Sequence, residues 1–167
     1  TAKGCWKMRL VELSANQETF RTVRFNESGL TLIVGKQADP SDKSREHSTN
    51  GVGKSLLLYL VSFCLGSESN RQLKEKLEDW EFTLRFENEG QQHTVTRSTA
   101  NQSIILVDGD ETPVTKFRQS LGKAIFGVEP PTKYLTFRFL LALFLRLGKP
   151  AYISEAQTRS GESEFQS

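Results

Sequence analysis

The chain has 167 residues, which is enough for one domain with a substantial core. Its 22 basic and 20 acidic residues give a formal net charge of only +2, so bulk charge does not indicate a nucleic-acid-binding protein, although a local basic patch is compatible with it. The two cysteines, Cys5 and Cys64, lack metal-site spacing, which argues against a disulfide scaffold and predicts a reducing cytoplasmic location.

The first part of the chain predicts strands. Residues 8–14 alternate between apolar and polar, residues 22–25 form a second short strand, and residues 30–34 (LTLIV) are a continuous apolar run. Such a run is typical of a strand buried on both faces, in a sheet covered by helices. We expect Met8 to be the native first residue, with residues 1–7 an artificial extension.

The rest of the chain predicts helices around a strand meander. Residues 54–65 form an apolar helix closed by Gly66, and residues 71–79 form a loop or a short helix. Three strands follow, at residues 80–86, 93–97 and 103–107. Two helices come next, at residues 116–126 and 136–147, and the chain ends in a polar tail at residues 151–167. The longest apolar run is shorter than the roughly 20 residues that span a bilayer, so no membrane association is expected.

Residues 34–60, VGKQADPSDKSREHSTNGVGKSLLLYL, contain most of a phosphate-binding loop. Their segment NGVGKS matches the end of a Walker A motif, but the pattern G-x-x-x-x-G-K-[ST] requires glycine where the chain has Ser48. The nearest upstream glycine is Gly35. If Gly35 begins the loop, residues 36–48 are an insertion, and each doubling of loop length costs only about 0.6 kcal/mol.

The chemistry of such a loop assigns a role to each residue type. Glycines let backbone N–H groups converge on phosphate oxygens, and the helix N-terminus adds its partial positive charge. Lys54 would reach the β- and γ-phosphates, and the Ser55 hydroxyl would bind Mg²⁺. We therefore predict ATP and Mg²⁺ as cofactors, bound by Gly35, Asn50, Gly51, Val52, Gly53, Lys54, Ser55 and Leu56. The alternative is a helix N-terminus with accidental glycines.

Two further segments leave alternatives open. The insertion at residues 36–48 is either a solvated loop or a lid over the nucleotide, with Lys36, Lys43 or Arg45 near phosphate. Residues 103–111, SIILVDGDE, either imitate a Walker B strand or form a hairpin with Asp108-Gly109 as its turn. In a Walker B strand, one aspartate would hold Mg²⁺ through water and an acidic neighbour would position the attacking water, from among Asp108, Asp110 and Glu111. We favour the hairpin, because a Walker B strand needs parallel crossover connections that a meander does not supply.

The segments MRLVELSANQETF, VRFNESGLTLIVG and TNGVGKSLLLYLVSFCLG together resemble the N-terminal part of ABC-type ATPase heads of the SMC, RecF and RecN group. The likeness is greatest to bacterial SMC-like proteins with an interrupted Walker A loop. It implies an α/β P-loop NTPase lobe at residues 8–150, with a mixed sheet and an antiparallel meander around a central helix. It also implies that Asn16 lies near the nucleotide base, although a plain turn is an equal alternative there.

The resemblance implies a partner as well. Such heads need a signature motif, a Walker B aspartate with its catalytic glutamate, and a switch histidine, none of which is evident here. A second head would supply them, either as the C-terminal half of the same chain beyond a coiled coil, toward which the tail at residues 151–167 would lead, or as a homodimer mate. DNA is the implied partner of the full assembly, in repair, chromosome maintenance or phage defence. A regulatory module that binds nucleotide without hydrolysis is the alternative function.

Overall fold

The computed structural model describes residues 8–34 and 54–127, together with Phe137, Leu140, Leu141 and Leu145. The predictions for residues 1–7, for most of the phosphate-binding loop with its insertion at 36–48, and for the tail at 151–167 therefore lie outside the described residues.

A six-stranded sheet dominates the described fold, with the spatial order β2-β1-β3-β4-β5-β6. Every neighbouring pair in it is antiparallel. The strands are β1 (Met8–Ala15), β2 (Val23–Arg24), β3 (Glu81–Asn88), β4 (Gln91–Ser98), β5 (Ile104–Val107) and β6 (Asp110–Pro113). The predicted strands at residues 8–14 and 22–25 and the meander are thus confirmed, and β6 is an additional strand.

This sheet corrects the predicted fold class. The expected α/β P-loop NTPase lobe requires a mixed sheet with parallel crossovers, and the described strands form none. The physical reason lies in the connections: Glu89-Gly90 and Asp108-Gly109 are tight turns, which can join only antiparallel neighbours. Strand β3 also runs antiparallel to β1, despite the helices between them in sequence.

A second correction concerns residues 30–34, which were expected to be a strand buried on both faces. These residues belong to no strand, and Leu30, Leu32 and Val34 are 81%, 75% and 65% exposed. The chain before them is held by local bonds instead, since the Asn26 side chain donates to the Leu30 carbonyl oxygen at 2.7 Å. An apolar run shows that a segment favours burial, but it does not specify a strand with which to pair.

Three helices are described over their full length: α1 (Lys54–Cys64), α2 (Arg71–Lys76) and α3 (Val114–Phe126). Gly66 follows α1 with a φ of 88°, as its predicted position at the helix end requires. Helix α2 decides between the predicted loop and short helix in favour of the helix. None of the described helices is both long enough and apolar enough to cross a bilayer.

The core lies between the sheet and helices α1 and α3. Helix α1 contributes more buried side chains than any other described helix, and its last residue, Cys64, is fully buried. Leu56 and Leu58, however, are 44% and 43% exposed, so α1 is not covered on every side as its apolar sequence suggested. Of the predicted helix at residues 136–147, Phe137, Leu140 and Leu141 are helical, and Phe137 and Leu141 join the core.

Candidate functional site

The N-terminal end of α1 is where the predicted phosphate-binding residues enter the described structure. Lys54 is the first residue of α1, and Ser55 follows it in the first turn with its side chain exposed. The first N–H groups of a helix have no partner within the helix and carry a partial positive charge. The first turn of α1 contains no acidic side chain to neutralise that charge. The predicted residues Gly35, Lys36, Asn50, Gly51, Val52 and Gly53 lie outside the described residues.

Residues of helices α1 and α2 line an open cleft of about 460 Å³, which we call the α1–α2 cleft. Two of the predicted nucleotide-binding residues, Ser55 and Leu56, belong to its wall. The remaining lining residues come from the second turn of α1 and from α2 and its flanks: Tyr59, Asn70, Gln72, Leu73, Lys76 and Leu77. This volume falls within the range of small-molecule sites, about 300–1,000 Å³.

Asn70 fixes the geometry of the cleft. Its side-chain oxygen accepts hydrogen bonds from the backbone N–H groups of Gln72 and Leu73 and thereby caps α2, while its side-chain amide donates to the Tyr59 hydroxyl of α1. Its backbone N–H donates to the side-chain oxygen of the buried Gln102 at 2.6 Å. Gln102 in turn donates to the Asn70 carbonyl oxygen at 2.9 Å. Asn70 is therefore fixed through both its side chain and its backbone, and it holds the start of α2 in place beside α1.

The lining of the cleft is mainly apolar, with a few polar groups. Leu56, Leu73 and Leu77 provide the apolar surface. The Tyr59 hydroxyl accepts the bond from Asn70, and no described residue accepts the hydrogen of that hydroxyl. Lys76 is the only charged side chain among the described lining residues, and it makes no ion pair with another described residue.

The sequence did not predict the α2 side of this cleft. Asn is a favoured N-cap, and Arg71 and Glu75 form an ion pair four residues apart at 2.6 Å, so the start of α2 carried a local signal. That signal places a helix at this point in the chain, but it does not say which other helix α2 will face.

Asn16, predicted to lie near the nucleotide base, connects two parts of the fold. Its side-chain amide donates to the Asp79 carbonyl oxygen at 3.1 Å, and its side-chain oxygen accepts from the Glu81 backbone N–H at 3.0 Å. Both ends of the side chain thus hold the end of β1 against the chain that enters β3. A contact with the base stays a prediction.

The acidic residues of the Walker B-like segment lie in the β5–β6 hairpin. Asp108 and Gly109 have φ angles of 52° and 98°, and positive φ at both central residues is what a type I′ turn requires. The Asp108 carboxylate contacts the His93 ring at 2.9 Å and accepts from the Thr94 N–H at 2.7 Å. Burial acts to raise the pKa of Asp108, but these bonds and the proximity of His93 outweigh it and lower that pKa. The hairpin that we favoured is confirmed.

The C-terminal end of α1 binds two arginines. Arg97 is fully buried and donates to the carbonyl oxygens of Phe63 and Ser67 at 2.7 and 2.8 Å. Arg118 donates to the Gly66 carbonyl oxygen and, at 3.1 Å, to that of Ser67. Burial, and then the charge of Arg118, lower the pKa of Arg97 to about 10, so Arg97 stays protonated at neutral pH.

Comparison of the chain with protein-family models, with curated proteins and with solved structures finds no match. A search of the described residues for metal-binding clusters of three or more His, Cys, Asp or Glu side chains finds none.

Proposed function

We propose that the chain binds ATP and Mg²⁺ at the N-terminal end of α1, as the nucleotide-binding lobe of an SMC-like ATPase. The observation that carries this proposal is that α1 begins at Lys54, directly after the glycines of NGVGKS. A glycine-rich segment therefore directly precedes a helix whose first N–H groups have no partner within the helix, which is the sequence arrangement of phosphate-binding loops.

Three properties of the first turn of α1 support an anionic ligand. It has no acidic side chain, so the partial positive charge of the helix end is not neutralised. The Ser55 side chain is exposed and can offer its hydroxyl to a metal ion that a phosphate holds. Leu57, Leu60 and Val61 are buried and fix the helix in the core, so its N-terminal end is a rigid support.

Phosphate binding at the N-terminal end of α1 does not depend on a parallel sheet. Anion binding needs converging backbone N–H groups and a helix N-terminus, and neither requires a particular strand arrangement. The ATPase cycle and action on DNA in repair, chromosome maintenance or phage defence come from the family resemblance alone. The proposed cytoplasmic location comes from the cysteine content.

We propose that hydrolysis requires a second head. Positioning the attacking water and holding Mg²⁺ both call for acidic side chains. None of the described residues that line the α1–α2 cleft is acidic, and Asp108 is engaged by His93 and Thr94 in the hairpin. The same observation favours a second candidate function, a regulatory module that binds ATP without turnover. A second head that restores hydrolysis would separate the two functions in favour of the ATPase.

Titration calorimetry of the full 167-residue chain with Mg-ATP tests the proposal. Lys54→Ala removes a charge-assisted phosphate contact worth about 1.5–3 kcal/mol, so ATP affinity should fall at least tenfold. The matched control is Lys74→Ala, which removes an exposed lysine of α2 outside the cleft and should leave affinity unchanged. Equal ATP affinity in wild type and Lys54→Ala would refute the assignment, as would no binding by the wild type.

Ser55→Ala tests the metal part of the same proposal. We expect it to reduce the gain in ATP affinity that Mg²⁺ gives, while binding of ATP in the presence of a chelator stays as in the wild type. A variant with the full Mg²⁺ dependence would show that Ser55 is not a ligand of the metal.

A further inference from the structure

The α1–α2 cleft begins where the proposed phosphate site ends. Ser55 and Leu56 belong both to the first turn of α1 and to the wall of the cleft. Tyr59 lies four residues after Ser55 in the helix, which is about 6 Å along the axis at a rise of 1.5 Å per residue. A ligand whose phosphates sit at the N-terminal end of α1 can therefore continue into the cleft without crossing another element of the described structure.

The chemistry of the cleft suits a flat, mostly apolar group with hydrogen-bonding edges. Leucines of both helices form its walls, and Leu73 is fixed in the core while it faces the cavity. The Tyr59 hydroxyl can donate a hydrogen bond, and the exposed Gln72 side chain can both donate and accept. A purine or pyrimidine base presents these same features, two apolar faces and a polar edge.

The charge and rigidity of the cleft support the same class of ligand. Lys76 gives the described lining a positive charge and no negative one, which favours a molecule that carries phosphate. Asn70 ties α2 to α1 through Tyr59 and to the buried Gln102. Because the cavity is held in shape before binding, little conformational entropy is lost when a ligand enters.

We propose that the α1–α2 cleft holds the nucleoside of the ATP molecule whose phosphates bind at the N-terminal end of α1. This inference rests on the proposed function and adds the subsite that recognises the base and sugar. The base lies between Leu56, Leu73 and Leu77, and Tyr59 donates a hydrogen bond to it. This placement replaces the contact between the base and Asn16 that the family resemblance implies, because Asn16 is not among the residues that line the cleft.

The test compares two ligands, Mg-ATP and magnesium tripolyphosphate, which share the phosphate chain and differ in the nucleoside. Gln72→Trp places a large ring at the cleft from an exposed position on α2. We expect this variant to lower ATP affinity at least tenfold and to change tripolyphosphate affinity by less than twofold. The matched control, Lys74→Trp, carries the same ring on the same helix outside the cleft and should bind both ligands as the wild type does.

Other results of this test would overturn the inference in distinguishable ways. Unchanged ATP affinity in Gln72→Trp would mean that the nucleoside binds elsewhere, without contradicting the phosphate site. The same result is expected if the cleft instead binds apolar side chains of a protein partner. An equal loss for both ligands would also refute a separate nucleoside subsite. If the wild type binds neither ligand, the proposed function fails and this inference fails with it.

A second measurement uses the unaltered chain, so it does not depend on how well any variant folds. In the Mg-ATP complex with methyl-labelled leucine, we expect nuclear Overhauser effects between adenine H2 or H8 and the methyl groups of Leu73 and Leu77. A saturated complex without these effects would overturn the inference even if Gln72→Trp had weakened binding.

Discussion

The guanidinium carbon of Arg97 lies 4.3 Å from the centroid of the Phe63 ring, and Nη1 of the same arginine donates to the Phe63 carbonyl oxygen at 2.7 Å. Arg97 is fully buried, yet no described carboxylate pairs with it. Its hydrogen bonds go to backbone carbonyl oxygens of Phe63, Ser67 and Gln102. The carbonyl groups at a helix C-terminus carry a partial negative charge, so the end of α1 serves as the counter-charge.

Arg97→Met tests the importance of this contact for stability. Methionine keeps much of the length of the side chain but has no N–H groups, so buried carbonyl oxygens lose their donors, at about 1–3 kcal/mol for each unsatisfied group. Relief of the buried charge offsets part of this loss, and we expect the free energy of unfolding to fall by about 3 kcal/mol. Urea denaturation, monitored by circular dichroism, measures the free energy of unfolding. The control is Arg24→Met, since Arg24 is 83% exposed and Glu12 is its one ion-pair partner among the described residues; its effect should stay below about 1 kcal/mol. Equal effects would contradict a special role for Arg97.

Gly66 and Gly127 form a second matched pair, because each follows a helix with a positive φ, 88° and 64°. A Cβ atom at Gly127 would meet nothing within 4 Å, whereas one at Gly66 would lie 3.2 Å from Arg118 Cγ and 3.4 Å from Phe117 Cδ1. Gly127→Ala should therefore lower the free energy of unfolding by only about 1 kcal/mol, because alanine disfavours the left-handed backbone conformation. Gly66→Ala adds overpacking and should cost at least about 2 kcal/mol. Urea unfolding midpoints of the two variants measure these losses of stability. A larger loss in Gly127→Ala than in Gly66→Ala would contradict the prediction.

These contacts also show which features the sequence could predict. The strand β1, the meander, α1 with Gly66 after it, and the Asp108-Gly109 turn follow from local patterns, periodicity and turn chemistry, and each was predicted. The class of the sheet was not, because strand direction depends on which distant segments pair. The strand predicted at residues 30–34 was wrong for the same reason, since an apolar segment does not specify the strand with which it would pair.

The candidate site divides in the same way. Ser55 and Leu56 were predicted because the Gly-Lys-Ser pattern is contiguous in sequence. Tyr59, Leu73 and Lys76 were not, since they line one cleft only when the six-residue helix α2 is placed beside α1. No spacing within the chain encodes that approach, and the bonds of Asn70 that maintain it join residues distant in sequence.

Cys64 should be chemically inert in the folded chain. Burial raises the pKa of its thiol to about 12, although the nearby charge of Arg97 lowers it, and the sulfur contacts the Phe82 carbonyl oxygen at 3.6 Å. Only the thiolate reacts rapidly with disulfide reagents, so at pH 8 reaction should require unfolding. In a Cys5→Ser background, we expect no release of thionitrobenzoate from Ellman's reagent under native conditions and one equivalent in guanidinium chloride. Rapid reaction of the native chain would show that the core around Cys64 opens.

The β5–β6 hairpin should lose stability in acid, and the pair of His93 and Asp108 makes this measurable. The folded state lowers the pKa of Asp108 because hydrogen bonds from His93 and Thr94 outweigh the effect of burial. A carboxyl group with a lowered pKa in the folded state stabilises it above the unfolded pKa, about 3.9 for aspartate, and this contribution disappears as pH falls through the folded value. The difference in unfolding free energy between wild type and Asp108→Asn should therefore shrink as the pH falls from 5 toward 3. In a His93→Ala background the difference at pH 5 should be smaller, because one of the stabilising bonds is gone. Urea titrations at each pH provide the values, and a difference that grows between pH 5 and pH 3 would mean that the folded state raises this pKa instead of lowering it.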